Sequence, residues 1–380
     1  MKLIHLSDLH LGLRMHGFSL LEDQRFILRQ ILSIIDEEAP DGVILAGDLY
    51  DKAVPPAEAV RVFDDFLVSL VRRRLQVFII AGNHDSPERI AFGGRVMDAS
   101  GIHLSPVYDG KPVSVPMKDE WGTVRIHLLP FLRPAAVRAA FPEEAEGISS
   151  YTDALRTAIG HIDLDPGERH VLAAHQFVTG AERSESEDVN VGGADNVDAE
   201  VFAAFDYAAL GHIHRPQQAG SPRMRYCGTP LKYSFSERNH QKSVTVAELR
   251  EKGSLTLRTV PLLPLHDVRE VRGTYEALTL RSAWEGTPRE DYLHIILTDE
   301  EDVPDAMPRL RSIYPNLMKL TYDNTRTRSL GVLETAGEPD QRTEMELFAA
   351  FYEKQNGQPL TEEQTRFAQA LLEKVREEDA

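Results

Sequence analysis

One cysteine, Cys227, in 380 residues leaves no partner for an intramolecular disulfide, which is the usage expected of a reducing compartment. No apolar run approaches the roughly 20 residues that span a bilayer. The apolar start Met1–Leu6 runs straight into Ser7, Asp8 and His10, so it does not read as a signal peptide; the expectation is a cytoplasmic protein. No Gly-x-x-x-x-Gly-Lys-Ser/Thr loop occurs, so any dependence on ATP must come from a partner chain. Positive charge is also in deficit: 42 Lys and Arg stand against 60 Asp and Glu. That average argues against nucleic acid, whose binding rests on cations meeting phosphates. The distribution is uneven, however. Residues 211–242 carry six cations (Arg215, Arg223, Arg225, Lys232, Arg238 and Lys242) against the single acid Glu237, whereas residues 334–380 carry twelve acidic and five basic residues.

The length suits two or three domains. Lys2–Leu6, Val43–Ala46 and Val77–Ala81 read as apolar strands, and Leu20–Glu38 and Pro56–Arg73 carry apolar residues at helical spacing. Ser86-Pro87-Glu88 reads as a helix start. This alternation predicts a layered α/β domain. Strands are expected at Thr123–Leu129, Val171–Ala174, Tyr207–Leu210, Ser243–Leu249 and Ser254–Val260, and a surface loop at Ala181–Asn196. Pro261–Pro264 marks a boundary. Beyond it, strand Tyr292–Leu297, helix Val303–Ile313 and strand Leu317–Thr321 suggest a small βαβ-like unit. A linker at 335–342 leads to two helices, with Thr361 and Gln364 as a capping box for the second.

Five polar clusters directly follow apolar strands: Asp8-Leu9-His10, Gly47-Asp48-Leu49-Tyr50-Asp51, Gly82-Asn83-His84-Asp85, His175 and Gly211-His212-Ile213-His214. Sites in open α/β folds gather at the carboxyl ends of strands. Five such ends in one crevice would concentrate the oxygen and imidazole donors that bind divalent transition metals. In Asp-x-His and His-x-His, two residues of extended chain would point to the same side. Glycines 47, 82 and 211 would let the backbone turn sharply. Taken singly, each cluster also has a plain reading as a loop, a turn or a helix cap. Together, in one order and each after a strand, they read as a metal site.

In this order the motifs resemble the calcineurin-like metallophosphoesterase superfamily. His5–Gly12, Gly47–Asp51, Gly211–Pro216 and Tyr226–Ser236 resemble its bacterial branch of DNA double-strand-break repair nucleases, the SbcD family. Thr229 stands where that family would lead us to expect Ser. The resemblance covers residues 1–260 most specifically. It implies a four-layer α/β/β/α sandwich at 1–268, a small α+β capping and DNA-contacting domain at 269–335, and C-terminal helices at 336–380 that bind an SbcC-like ABC-type ATPase with a long coiled coil.

Carried over by position, the resemblance implies one metal on Asp8, His10 and His214, another on Asn83, His175 and His212, and Asp48 between them. Two Mn²⁺ suit the donor set best, with Mg²⁺ second and iron or zinc still compatible. His84 is implied to face the scissile phosphate, with Asp51 orienting it through a hydrogen bond; the plain alternative for Asp51 is a solvated turn residue. Asp85 reads as a helix-start or supporting residue, and His5, His16, His103, His127, His161 and His170 as structural. Arg215, Arg223, Arg225, Lys232 and Arg238 could track a DNA backbone, with Tyr226, Tyr233 and Phe235 stacking on bases; the competing reading is a solvated strand pair with core aromatics.

The implied activity is a two-metal DNA nuclease, 3′-to-5′ on duplex ends and endonucleolytic on hairpins and single strands. The implied assembly is a homodimer, through Pro56–Arg73 and the helix after Ser86, joined to the ATPase as a heterotetramer at the nucleoid. A standalone phosphodiesterase or phosphatase on small substrates, and a DNA-end tethering scaffold, are the competing functions.

Overall fold

The computed structural model describes residues 1–187, 195–325 and 327, with scattered positions between 345 and 371. The chain divides into two compact units. One comprises Met1–Glu270, Pro288–His294 and Tyr314–Lys319; the other comprises Val271–Thr287, Ile295–Ile313 and Leu320–Ala380.

The first unit is built on two six-stranded sheets. In the first sheet, Lys2–Leu6, Gly42–Ala46, Gln76–Ile80 and Ile102–Leu104 run parallel. Ser243–Leu249 and Leu255–Pro261 extend it antiparallel beyond Lys2–Leu6. In the second, Gly122–Leu129, Arg169–His175, Tyr207–Gly211 and Ser221–Tyr226 run parallel, flanked by antiparallel Val113–Asp119 and Gln217–Ala219.

The central strands are largely apolar because both faces are buried, and the period of two divides their side chains between the two faces. Leu3, Ile44, Phe78 and Ile80 face Val124, Ile126, Val171, Ala173 and Tyr207 between the sheets. Ile4, Leu6, Val43, Leu45, Val77 and Ile79 face outward onto the helices Leu21–Glu38 and Ala57–Arg72. Leu172, Ala174, Ala208 and Leu210 meet Leu155, Ala158 and Ile159 of the helix Tyr151–Gly160. The order is therefore helix, sheet, sheet, helix: the four-layer sandwich.

Ser150 caps the Tyr151–Gly160 helix in a capping box with Asp153. Neither this helix nor the strands Ile102–Leu104 and Val113–Asp119 were expected from the sequence. Ser86 caps a single turn, Pro87–Ile90, rather than a long helix. Val60, expected on the buried face of its helix, is 43% exposed.

In the C-terminal third, strands Val268–Gly273, Tyr292–Leu297 and Leu317–Tyr322 form a sheet in that order. The helix Ala306–Arg311 is shorter than expected. The linker at 335–342, Gly192 and Gly193, and most of the expected C-terminal helices lie outside the described residues. Thr361 and Gln364 do exchange the two bonds of a capping box. No described helix is long and apolar enough to cross a membrane.

Candidate metal centre

The parallel strands of both sheets deliver the polar clusters to one place. Asp8 and His10 follow Lys2–Leu6; Asp48 follows Gly42–Ala46; Asn83 and His84 follow Gln76–Ile80. From the second sheet, His175 ends Arg169–His175, and His212 and His214 follow Tyr207–Gly211.

The local backbone differs from the extended chain expected. Asp8, His10, Asp48 and His212 all have positive φ (54°, 43°, 49° and 101°), a region that few non-glycine residues occupy, Asp and His more often than most. The side chains converge because the chain turns past each strand end, not because alternate residues of a strand share a face. The glycines also divide. Gly47 turns (φ +86°), whereas Gly82 and Gly211 provide space: a Cβ on Gly82 would strike the Asp48 carboxylate, and one on Gly211 the Ala46 carbonyl.

Donor atoms of Asp8, His10 and His214 lie within 4.8 Å of one another, as do those of Asp8, Asp48 and His175, and of His10, Asp48 and His84. His10 Nε2 and His214 Nε2 face each other at 3.2 Å. His175 Nε2 lies 3.0 Å from Asn83 Oδ1 and 3.2 Å from Asp48 Oδ2. His212 Nδ1 lies 2.9 Å from Asn83 Oδ1. Asp48 Oδ2 is also 3.8 Å from His10 Nε2, which sets this one carboxylate against both groups of donors. Asp8 accepts the His212 N–H at 3.0 Å and the Ser7 hydroxyl.

Electrostatics fit a cation here. Burial pushes His10 well down and His212 down to about 3, so both are neutral imidazoles with a lone pair to offer. Burial also works against a charged His175, but Asp48 and Asp8 overcome it and raise His175 to about 9. Two buried carboxylates thus draw positive charge into the cluster, which a divalent metal would supply. His175 and His214 are braced in the manner of metal ligands, whose second ring nitrogen donates to a carbonyl or carboxylate. His175 Nδ1 meets the Ala46 carbonyl at 2.8 Å. His214 Nδ1 meets Ser186 Oγ at 2.8 Å and Glu237 Oε1 at 3.3 Å. His10 Nδ1 and His212 Nε2 have no such partner among the described residues. The donor set and its bracing fit divalent cations.

His84 is half-buried, edge-on to His10 at 4.8 Å between ring centroids. Its N–H donates to Asp48 Oδ1 at 2.9 Å. Its Nδ1 lies 3.1 Å from the main-chain carbonyl of Asp51. This contact between Asp51 and His84 is made by the Asp51 main-chain carbonyl. Asp85 accepts the N–H groups of Gly82, Leu49 and Tyr50 at 2.9–3.1 Å and ties two ligand loops together. Burial, then Asp48, raises its carboxyl to about 6.

The basic side chains of this segment mostly have partners within the protein, although Arg215, Arg223 and Arg238 are exposed. Arg225 turns inward and donates to Thr245 Oγ1 at 3.1 Å. Lys232 meets Asp267 at 2.7 Å and the Arg238 carbonyl at 2.8 Å. Arg215 pairs with Glu182, and Arg238 donates to the Phe235 carbonyl at 3.2 Å and approaches Glu270 at 4.0 Å. Arg223 is exposed. Tyr226, Tyr233 and Phe235 are buried, and Tyr226 and Tyr233 donate to the carbonyls of Gln176 and Leu9 at 2.7 and 2.6 Å. These aromatics are core and cannot stack on bases. Of the other histidines, His5 bonds across the sheets to Tyr207 at 2.7 Å rather than within its strand. His103 bonds Asp98 and Gln76, and His127 bonds Ser114 and His170.

Known proteins place this geometry. Residues 1–216 match the family described as Calcineurin-like phosphoesterase. Residues 264–356 match SbcD_C, described as Type 5 capsule protein repressor C-terminal domain. A Staphylococcus epidermidis protein named as a subunit of the nuclease SbcCD is 30% identical over 98% of this chain and 98% of its own length. The chain belongs to the SbcD family of calcineurin-like metallophosphoesterases. A second SbcD-family relative, of the same name, from Staphylococcus saprophyticus, is 30% identical over 100% of this chain and 99% of its own. Among solved structures, a dimetal phosphatase from Danio rerio aligns over 70% of this chain and 98% of its own, with a TM-score of 0.42 and 12% identity. As a member of this family the chain is a metal-dependent phosphoesterase.

Sequence reasoning missed Ser186, Glu187, Glu237 and Lys242, which surround His214. One signal was present: Glu237 is the single acid in the basic segment.

Proposed function

We propose that this chain is a two-metal DNA nuclease that processes DNA ends. It would act as a 3′-to-5′ exonuclease on duplex ends and an endonuclease on hairpins and single strands, together with an SbcC-like ATPase. The observation that carries the reading is the convergence of seven donor side chains at strand ends, in a chain matched end to end by relatives named as nuclease subunits.

Asp8, His10 and His214 would hold one cation and Asn83, His175 and His212 the other, with the Asp48 carboxylate within reach of both groups of donors. The oxygen and imidazole donors favour Mn²⁺, then Mg²⁺. When bound, two such cations supply Lewis acidity at the phosphate and a nucleophile at neutral pH. His84, whose Nδ1 meets the Asp51 carbonyl, would stabilise the transition state or protonate the leaving oxygen. Residues 1–268 would be the nuclease domain, 269–335 the capping domain and 336–380 the segment that docks the ATPase. The protein acts in the cytoplasm, at the nucleoid.

An apolar groove of 640 Å³ lined by Tyr50, Val60, Phe63, Leu67, Phe92 and Met97 supports the homodimer. Phe92 and Val96 beside it are 81% and 79% exposed, which a second copy would cover. With two ATPase chains this gives a heterotetramer.

The test incubates purified protein and Mn²⁺ with end-labelled duplex and hairpin DNA, with and without the ATPase, beside a generic phosphodiester dye. Cutting of DNA that His84→Ala removes is the expected result. Hydrolysis of the dye alone under every condition would overturn the DNA reading and leave a small-substrate phosphodiesterase.

A further inference from the structure

The motif Tyr226–Ser236 and the lysine beyond it are left without a role by the DNA reading, because their aromatic and basic side chains turn inward. Their position assigns them another.

Glu237 and Lys242 are a buried ion pair, 0% and 4% exposed, with Glu237 Oε2 and Lys242 Nζ 2.6 Å apart. Burying two charges is costly, and a pair of this kind is weak evidence for stability by itself. Here the remaining contacts of the pair centre on one residue. Glu237 Oε1 accepts the Ser186 hydroxyl at 2.5 Å and lies 3.3 Å from His214 Nδ1; Ser186 Oγ is itself 2.8 Å from that nitrogen. Lys242 Nζ donates to the His214 carbonyl at 2.8 Å and to Thr229 Oγ1 at 2.6 Å, and Thr229 N–H donates to the same carbonyl at 3.2 Å. Glu187 Oε1 accepts the His214 N–H at 2.6 Å. The backbone N–H, the backbone carbonyl and the ring of His214 are thus each held by a side chain. His10 and His212, by contrast, each leave one ring nitrogen without a partner among the described residues.

A carboxylate acceptor beside Nδ1 places the ring proton there, and the lone pair then falls on Nε2, the nitrogen that faces His10. Lys242 neutralises the carboxylate, so the device adds no net charge behind the ligand. We propose that Glu237, through Ser186 and with Lys242 as its countercharge, is a positioning residue that fixes the tautomer and orientation of His214 for one of the two cations. This rests on the assignment of Asp8, His10 and His214 to a single cation.

The test measures Mn²⁺ binding to the full chain by calorimetry and electron paramagnetic resonance. The variants are Glu237→Gln, the charge-neutral double variant Glu237→Gln/Lys242→Met, and Ser186→Ala, which unpairs no buried charge and guards against a misfolded Glu237→Gln. Wild type takes up two Mn²⁺. The variants weaken one of them by roughly 10- to 100-fold, least in Ser186→Ala, and leave the other at wild-type affinity. Wild-type affinity at both sites in folded variants overturns the proposal. So does equal weakening of both, which is what a general packing role would give. A wild-type chain that takes up no Mn²⁺ overturns the metal assignment itself, and with it this inference.

Discussion

The strand-end cluster and the basic segment 211–242 share residues and chemistry yet carry their charges in opposite ways. At the strand ends, Asp8 and Asp48 are buried without a lysine or arginine partner among the described residues, and His10 Nε2 and His214 Nε2 confront each other across 3.2 Å. In the segment, Arg215 meets Glu182, Arg225 meets Thr245, Lys232 meets Asp267 and Lys242 meets Glu237. A cluster whose buried carboxylates face imidazoles rather than lysine or arginine can take up cations from outside. Cations that already have partners have less to offer a phosphate backbone, which leaves the exposed Arg223 as the segment's most available charge. The sign of a stretch of sequence therefore says less about binding than whether its charges already have partners.

That contrast is open to attack at several points. The largest effect is expected from Asp48→Ala, because Asp48 Oδ2 stands between both donor groups. It should lower Mn²⁺-dependent hydrolysis by more than ~10⁴-fold and reduce bound metal; metal analysis showing two Mn²⁺ per variant chain would contradict the shared role. Next comes His84→Gln, with a loss of about 10²–10⁴-fold in kcat. Calorimetry should find its Mn²⁺ binding unchanged, and lost metal instead would make His84 a ligand rather than an acid.

Part of the acid sensitivity should come from two histidines outside the centre. Burial first, then the neighbouring Arg225, lowers His5 to about 3; burial, then His170 and Arg125, lowers His127 to about 3. Their unfolded values lie near 6.5, so below that pH the unfolded chain binds more protons. Stability is therefore full above about 6.5 and falls as pH drops toward 3, at up to roughly 1.4 kcal/mol per pH unit for each histidine. Urea unfolding at pH 6.5 and 4.5 should show a smaller difference for His127→Gln than for wild type; an unchanged difference would sink the assignment.

The smallest effects belong to the basic segment. Arg225→Ala should cost about 1 kcal/mol of stability through its lost bond to Thr245 and leave DNA affinity unchanged. Arg223→Ala, at an exposed position, should change the salt dependence of DNA binding by at most about one counterion. A large loss of DNA affinity in Arg225→Ala would restore the basic track.

Much of the metal centre was legible because each donor follows an apolar strand that both layers bury. Val43–Ala46 and Val77–Ala81 could hardly be anything but internal strands, and parallel strands bring the residues at their carboxyl ends to one edge of the sheet. What remained illegible depends on partners distant in sequence. The Arg225 side chain looks the same on paper whether it meets a phosphate or Thr245, 20 residues on. Tyr226 has the character of a stacking residue until Gln176, 50 residues earlier, claims its hydroxyl. Asp51 was placed correctly beside His84, but whether its carboxylate or its carbonyl makes the bond depends on backbone direction at a turn, which residue type does not encode. Ser186 and Glu237 lie 51 residues apart and meet beside His214.

An anomalous difference map from crystals of the full chain grown with Mn²⁺ would locate the cations themselves. Two peaks are expected, one against Asp8, His10 and His214, the other against Asn83, His175 and His212, with Asp48 touching both. A single peak, or Mn²⁺ bound elsewhere while these seven side chains contact only one another, would refute the shared two-cation centre.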